Sequence, residues 1–132
     1  MEPKKPCILV VDDEAVLCKR LKTALERIGC NVEVCIDGSE ALRKVEEKCF
    51  DIAIVDLKMN KIDGMQILEM IKRKKPKTEV IIITGFATAE VAREAFRKGA
   101  SEFISKPFWL QDLYNVIFRL IEKMQKKQLL AT

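Results

Sequence analysis

Short apolar runs alternate with amphipathic stretches along the whole chain of 132 residues. This alternation is typical of βα units arranged around a parallel sheet. The apolar runs predict strands near 7–11, 31–36, 51–55, 80–83 and 101–104. Apolar residues at helical spacing after each run predict helices over about 15–28, 39–48, 65–75, 88–98 and 109–128.

The composition of the strands predicts their order in the sheet. Strands 1, 3 and 4 are apolar at nearly every position, which indicates burial on both faces. Strand 2 contains Asn31 and Glu33, and strand 5 contains Ser101 and Glu102, so we expect these two at the edges. With right-handed crossovers, the order 2-1-3-4-5 follows, with helices on both faces. The sequence therefore predicts a flavodoxin-like, doubly wound (βα)5 domain of the α/β class.

Composition and charge narrow the class of protein. Apolar residues make up 48% of the chain, charged residues 33%, and the formal net charge is +4, as in ordinary globular domains. No apolar run approaches the ~20 residues that span a bilayer, and Asp12 interrupts the run that follows the basic N-terminus. We therefore expect a cytoplasmic protein without membrane association. The basic run 72–77 lacks interleaved aromatic residues, so a solvated helix end is favoured over a nucleic-acid-binding surface.

Cysteine and histidine usage excludes several kinds of chemistry. Five cysteines occur without a CxxC pair, which argues against a disulfide framework and favours small apolar core residues. The chain contains no histidine, which excludes Ser-His-Asp and Cys-His catalysis and most transition-metal sites. Any reaction must therefore use carboxylates, hydroxyls, lysines or a bound hard cation.

Polar residues follow four of the predicted strands at the point where each strand ends. Asp12 and Asp13 follow strand 1, Asp56 follows strand 3, Thr84 follows strand 4 and Lys106 follows strand 5. The carboxyl ends of parallel strands meet at one edge, and the switch point of this strand order lies between strands 1 and 3. Three carboxylates, a hydroxyl and an ammonium brought together there can bind a divalent cation and a phosphoryl group.

The chain resembles the receiver domain of bacterial two-component response regulators over essentially its whole length. Besides the strand-end residues, the resemblance rests on the segments 56–59, 63–65, 82–85, 99–100 and 103–108, and it is greatest for nitrogen-regulation-type transcriptional activators. It implies phosphorelay signalling, in which Asp56 accepts a phosphoryl group from a sensor histidine kinase. The face made by helix 4, strand 5 and helix 5 then switches. Such a domain catalyses only its own phosphorylation and dephosphorylation.

The same resemblance implies a set of site residues. Mg²⁺ would be bound by the carboxylates of Asp13 and Asp56, by Asp12 directly or through a water, and by the main-chain carbonyl of Lys58. The phosphoryl oxygens would be bound by Thr84 and Lys106, Phe103 would be the switch aromatic, and Pro107 is the candidate cis-proline. A phenylalanine in the core of a short strand has the same sequence pattern as a switch aromatic, so Phe103 retains this second interpretation.

Three residues depart from the usual family pattern or add bulk near the site. Asn60 stands where proline is common, which loosens the loop after Asp56. Lys58 lies two positions after the predicted phosphoacceptor, and Phe86 lies two positions after Thr84. Both are predicted to modulate the reaction rate. We expect Phe86 to shield an acyl phosphate from water.

The C-terminal part predicts a tail and a self-association surface. Residues 1–125 are expected to form the receiver domain, and 126–132 a tail that begins a linker to an output domain. The last predicted helix has an apolar stripe at 3-4-3-4 spacing, formed by Leu110, Leu113, Ile117, Leu120 and Met124. A homodimer is a candidate, either through helix 4, strand 5 and helix 5 or through the distal part of helix 5 as a short coiled coil.

Three other functions remain as alternatives at this point. Haloacid-dehalogenase-like phosphatases also use an aspartate nucleophile, a Thr or Ser, a Lys and Mg²⁺, but their nucleophile follows the first strand in an Asp-x-Asp arrangement. A flavin or nucleotide binder is disfavoured because Asp12, Asp13 and Glu14 would repel a phosphate and no glycine-rich phosphate loop is present. The third alternative is a receiver-like interaction module that no longer uses phosphate.

Overall fold

The computed structural model describes residues 4–59 and 63–131. They form one five-stranded parallel sheet in the order β2-β1-β3-β4-β5, as predicted. The strands are β1 (Cys7–Val11), β2 (Asn31–Cys35), β3 (Ile52–Asp56), β4 (Glu79–Thr84) and β5 (Glu102–Ser105). The helices are α1 (Ala15–Arg27), α2 (Gly38–Glu47), α3 (Gly64–Lys74), α4 (Ala89–Arg97) and α5 (Leu110–Ala131).

Helices cover both faces of the sheet, and this explains why the central strands are apolar throughout. Successive side chains of a strand point to opposite faces, so β1, β3 and β4 contribute to two separate cores. One core lies between the sheet and α2, α3 and α4, and includes Leu9, Val55 and Ile82. The other lies between the sheet and α1 and α5, and includes Val10 and Ile54.

Local sequence signals set several helix ends. The side chain of Asp63 accepts a hydrogen bond from Met65 N at the start of α3, and that of Thr88 accepts one from Val91 N in the first turn of α4, both at 3.1 Å. Gly29 and Gly99 follow α1 and α4 with φ of 97° and 109°, a left-handed conformation that glycine adopts without strain.

The end of the last helix differs from the expectation. We predicted that it reaches about Gln128, whereas α5 continues to Ala131. Lys126 pairs with Glu122 one turn earlier, at 3.5 Å, and no glycine or proline interrupts the final turns. The predicted domain boundary at residue 125 lies within this continuous helix and stays a prediction.

Two further observations concern predictions outside the core. Asn60, whose effect on the loop after Asp56 was predicted, lies outside the described residues. Among the helices that the structure describes, none combines the length and apolar character needed to cross a membrane.

Candidate functional site

The predicted site residues meet at the carboxyl edge of the sheet. Asp12 directly follows β1, Asp56 is the last residue of β3, Thr84 is the last residue of β4, and Lys106 directly follows β5. Because all strands are parallel, these four positions lie at the same edge. The site is therefore built from the ends of the three central strands and one edge strand.

Three carboxylates cluster at the point where the direction of strand addition reverses. One oxygen from each of Asp12, Asp13 and Asp56 lies within 4.8 Å of the other two. The side chain of Asp12 is fully buried and Asp56 is 4% exposed, whereas Asp13 remains partly exposed. Like charges held this closely repel one another unless a cation neutralises them, and oxygen ligands of this kind suit Mg²⁺.

Lys106 supplies a positive charge to this cluster. Its Nζ lies 2.8 Å from Asp12 Oδ2, 3.1 Å from Asp56 Oδ2 and 3.4 Å from Glu14 Oε1. Burial opposes the charged form, but the hydrogen bonds and charges of Asp12 and Asp56 outweigh it and hold the pKa of Lys106 above its usual value. The contact with Glu14, an exposed residue, was not predicted from the sequence.

The carboxylate of Asp56 is held at both oxygens. Lys58 N donates a hydrogen bond to Oδ1 at 3.1 Å, and Lys106 Nζ contacts Oδ2. Burial is the main reason that the pKa of Asp56 lies above its ordinary value, and the nearby charge of Asp12 adds to it. The two hydrogen bonds oppose this rise. The group is thus fixed in position and more basic than a solvated aspartate.

Thr84 and Phe103 are the two predicted switch residues. Thr84 is fully buried, and its Oγ1 accepts a hydrogen bond from Phe86 N at 3.1 Å, which leaves the hydroxyl proton available for another acceptor. Phe103 is half-buried and packs against the core formed with α2, α3 and α4. Lys106 N also donates to Thr84 O at 2.8 Å, which ties the ends of β4 and β5 together. The Lys106–Pro107 peptide bond is cis.

Gly64 allows the start of α3 to approach the end of β3. A Cβ at this position would overlap the carbonyl oxygen of Asp56 and the Cα of Leu57, and Gly64 N donates to Leu57 O at 3.0 Å. A residue with a side chain would therefore push the loop away from the carboxylate cluster. The sequence motif 63–65 contained this glycine, but its direct contact with the main chain of Asp56 was not predicted.

Lys58 and Phe86 contact each other beside the site. The Lys58 Nζ lies 4.0 Å from the centroid of the Phe86 ring, within the range of a cation–π interaction. Both side chains are exposed, the Phe86 ring by 57%. Both residues were predicted to modulate the reaction, but separately, because the pattern gives no sign that the two loops touch.

A family model for the response regulator receiver domain matches residues 8–118 of this chain. The chain belongs to this family. It is therefore a domain of two-component signalling. Receiver domains of this family interact with histidine kinases, and they are signalling domains rather than classical enzymes. The match decides against the haloacid-dehalogenase-like phosphatase and the flavin or nucleotide binder.

Sequence relatives agree with the predicted subgroup. The transcriptional regulatory protein ZraR of Salmonella typhimurium is 39% identical over 100 residues, which cover 76% of this chain and 23% of ZraR. An NtrX-like response regulator of Rickettsia conorii is 35% identical over 123 residues, which cover 92% of this chain and 26% of that protein. The chain thus spans about a quarter of the length of these curated relatives.

The fold agrees with a solved receiver domain. The CheY-like response regulator receiver domain protein of Methanospirillum hungatei superimposes with a TM-score of 0.91 at 30% sequence identity, covering 94% of this chain and 99% of that one. The predicted fold class and the family resemblance are both confirmed.

Proposed function

We propose that Asp56 is the phosphoacceptor of this receiver domain and that its phosphodonor is a phosphohistidine of a sensor kinase. The observation that carries the proposal is the state of the Asp56 carboxylate. It is nearly buried, held at one oxygen by Lys58 N and at the other by Lys106 Nζ, and lies beside Asp12 and Asp13. A carboxylate fixed in this way is positioned for in-line attack on phosphorus.

The transfer would exchange one bond to phosphorus for another. A carboxylate oxygen of Asp56 attacks the phosphorus of phosphohistidine, and a P–O bond forms as the P–N bond breaks. The electron pair of the broken bond returns to the imidazole nitrogen, which takes up a proton. Hydrolysis would end the signal: water attacks the phosphorus, the P–O bond to Asp56 breaks, and inorganic phosphate leaves.

The donor set fits Mg²⁺. The carboxylates of Asp12, Asp13 and Asp56 and the main-chain carbonyl of Lys58 are hard oxygen ligands, and they would hold the ion with several waters. When bound, Mg²⁺ would offset the negative charge of the phosphoryl oxygens. Lys106 would contribute a second positive charge by turning its ammonium from the carboxylates toward a phosphoryl oxygen.

Thr84 would bind the phosphoryl group on Asp56. Its hydroxyl proton is not committed to the hydrogen bond with Phe86 N, so it can be donated to a phosphoryl oxygen. Movement of Thr84 toward that oxygen would leave space for the Phe103 ring, which packs nearby in the core. The change would reach the face made by α4, β5 and α5.

A small donor tests the acceptor site without a kinase. We expect phosphoimidazole or acetyl phosphate with Mg²⁺ to add one phosphoryl group to the protein, measured by intact mass, and we expect Asp56→Asn to abolish the addition. Asp51→Asn is the matched control, because Asp51 lies at the opposite edge, where its Oδ2 accepts from Cys7 N at 2.8 Å. Undiminished labelling of Asp56→Asn would contradict the proposal, and an unlabelled wild-type protein would favour the receiver-like module that does not use phosphate.

A groove beside the site is the proposed docking surface for the kinase. It lies between α1 and the start of α5, includes the exposed side chains of Val16 and Leu110, and opens at Lys106. Its continuity with Lys106 would place the phosphohistidine of a docked kinase helix next to Asp56. We expect Val16→Glu to slow transfer from the kinase but not from phosphoimidazole. An equal effect on both donors would contradict this placement.

Formation of a homodimer and control of transcription stay predictions. Phe96 on α4 and Phe118 on α5 are both 48% exposed, on helices of the face that is proposed to switch. We infer that a homodimer would form through this face or through the distal part of α5. Sedimentation of the domain with and without beryllofluoride tests it, and a monomer at high concentration in both states would contradict it. Control of transcription by a protein that contains this domain is likewise proposed from its relatives.

A further inference from the structure

The main chains of Lys58 and Phe86 each hold a side chain of the proposed site, namely the acceptor Asp56 and the hydroxyl of Thr84. Lys58 N donates to Asp56 Oδ1 at 3.1 Å, and Phe86 N donates to Thr84 Oγ1 at the same distance. The side chains of the same two residues contact each other at 4.0 Å. Each main-chain hydrogen bond thus fixes a polar side chain within its own loop, and the contact between the side chains of Lys58 and Phe86 connects the loop after β3 with the loop after β4.

We propose that phosphorylation of Asp56 exchanges the contact between Lys58 and the Phe86 ring for a contact between Lys58 and the phosphoryl group. This inference rests on the proposed function and adds a second switch to it. A phosphoryl group brings a charge of about −1.5 to −2, and a charge-assisted hydrogen bond to it is stronger than a cation–π contact exposed to water. The flexible side chain of Lys58 starts at the Cα bonded to the nitrogen that donates to Asp56 Oδ1, so its ammonium can reach the new oxygens.

Movement of the Lys58 ammonium away from the Phe86 ring would release the loop after β4 from this contact. Thr88 N donates to Phe86 O at 3.1 Å, and the side chain of Thr88 accepts from Val91 N in the first turn of α4. Displacement of Phe86 would thus act directly on the start of α4. This route does not pass through Phe103, so α4 would respond to phosphorylation at its first turn as well as through β5.

Proton NMR of the wild-type protein tests the exchange without a measurement of activity. Protons above the face of an aromatic ring are shifted upfield, so we expect the ε-methylene signal of Lys58 to lie upfield of ordinary lysines. Phe86→Leu should remove this shift. Addition of Mg²⁺ and beryllofluoride to the wild-type protein should remove it too.

An internal control comes from a second lysine–phenylalanine pair. Lys48 Nζ lies 5.4 Å from the centroid of the Phe50 ring, outside the proposed acceptor site. The ε-methylene signal of Lys48 should stay unchanged when beryllofluoride is added. A Lys58 signal that stays upfield while the amides of Asp56 and Thr84 shift would overturn the exchange but leave the proposed function intact. Amides that do not shift at all would count against both.

The lifetime of the acyl phosphate provides a second test. We expect Lys58→Met and Phe86→Ala each to accelerate hydrolysis several-fold, the first by uncovering the phosphoryl group and the second by admitting water. If the two side chains have separated in the phosphorylated state, the acceleration in the double variant should equal the product of the single accelerations. A double variant no faster than either single variant would show that they still act as a unit and would overturn the exchange.

Discussion

Lys106 Nζ lies 3.1 Å from Oδ2 of Asp56, although 50 positions separate the two residues in the chain. The same ammonium contacts Asp12, whose side chain is fully buried. One lysine thus partly neutralises two buried carboxylates at the carboxyl ends of neighbouring strands. The stability of the domain and its proposed chemistry therefore depend on the same side chain.

Removal of this lysine should destabilise the domain, and Mg²⁺ should compensate. We expect Lys106→Met to lower the free energy of unfolding by about 3 kcal/mol in the presence of EDTA, because Asp12 and Asp56 lose their counter-charge. With Mg²⁺ the difference should shrink, since the ion would neutralise the same carboxylates. Urea titrations under both conditions measure this.

Lys98→Met is the matched control for Lys106→Met. Lys98 also contacts two carboxylates, Glu69 at 2.7 Å and Glu94 at 2.9 Å, but the three side chains remain 29 to 43% exposed. Exposed ion pairs contribute about 1 kcal/mol or less, so the loss should be small and independent of Mg²⁺. Equal losses in the two variants would show that burial of the Lys106 cluster has no energetic importance.

A methyl group at position 64 should disturb both folding and the site. We expect Gly64→Ala to lower the free energy of unfolding by about 2 kcal/mol, because its Cβ would overlap the main chain of Asp56 and Leu57. We also expect slower labelling by acetyl phosphate, as the loop that carries Lys58 N moves away from Asp56. Gly85→Ala provides the comparison, since nothing lies within 4 Å of a Cβ at that position. A Gly64→Ala variant indistinguishable from Gly85→Ala would refute the close approach.

Glu79 should make stability depend on acid pH. Burial would raise the pKa of this carboxylate, but hydrogen bonds from Ser101 and Lys123 outweigh it and hold the pKa below the ordinary 4.5. The unfolded chain then binds the proton more readily, so the stabilisation is present above pH 4.5 and is lost as the pH falls toward the pKa of the folded state.

Glu79→Gln tests that pH dependence. We expect the variant to be about 1 kcal/mol less stable than the wild type near neutral pH and the difference to shrink as the pH falls below 4.5. Urea titrations over a pH series measure it, with the exposed Glu90→Gln as control. A constant difference at all pH values would mean that the charge of Glu79 does not contribute.

The parts of the site that could be predicted from sequence are those that depend on strand ends. A strand's position follows from its apolar run, and parallel strands bring their carboxyl ends together, so Asp12, Asp56, Thr84 and Lys106 could be placed without coordinates. No comparable rule governs loops. The contact between Lys58 and Phe86 depends on the conformation of two of them, and therefore appeared only in the structure.

The contact between Lys106 and Glu14 and the end of α5 were also not predicted, for related reasons. The contact of Lys106 with Glu14 joins two flexible side chains whose spacing in sequence carries no periodic signal. Residues 125–128 of α5 are polar, and Leu129 and Leu130 are 75% and 88% exposed, so no buried apolar stripe marks where the helix ends.

The position of β5 at the rim of the sheet has a mechanical consequence. This strand of four residues is hydrogen-bonded to β4 alone, whereas β1, β3 and β4 each have two neighbours. A shift of β5 therefore strains a single ladder of hydrogen bonds and leaves the interior strands undisturbed. The segment that connects Phe103 to Lys106 can thus be deformed with less work than any of the three interior strands.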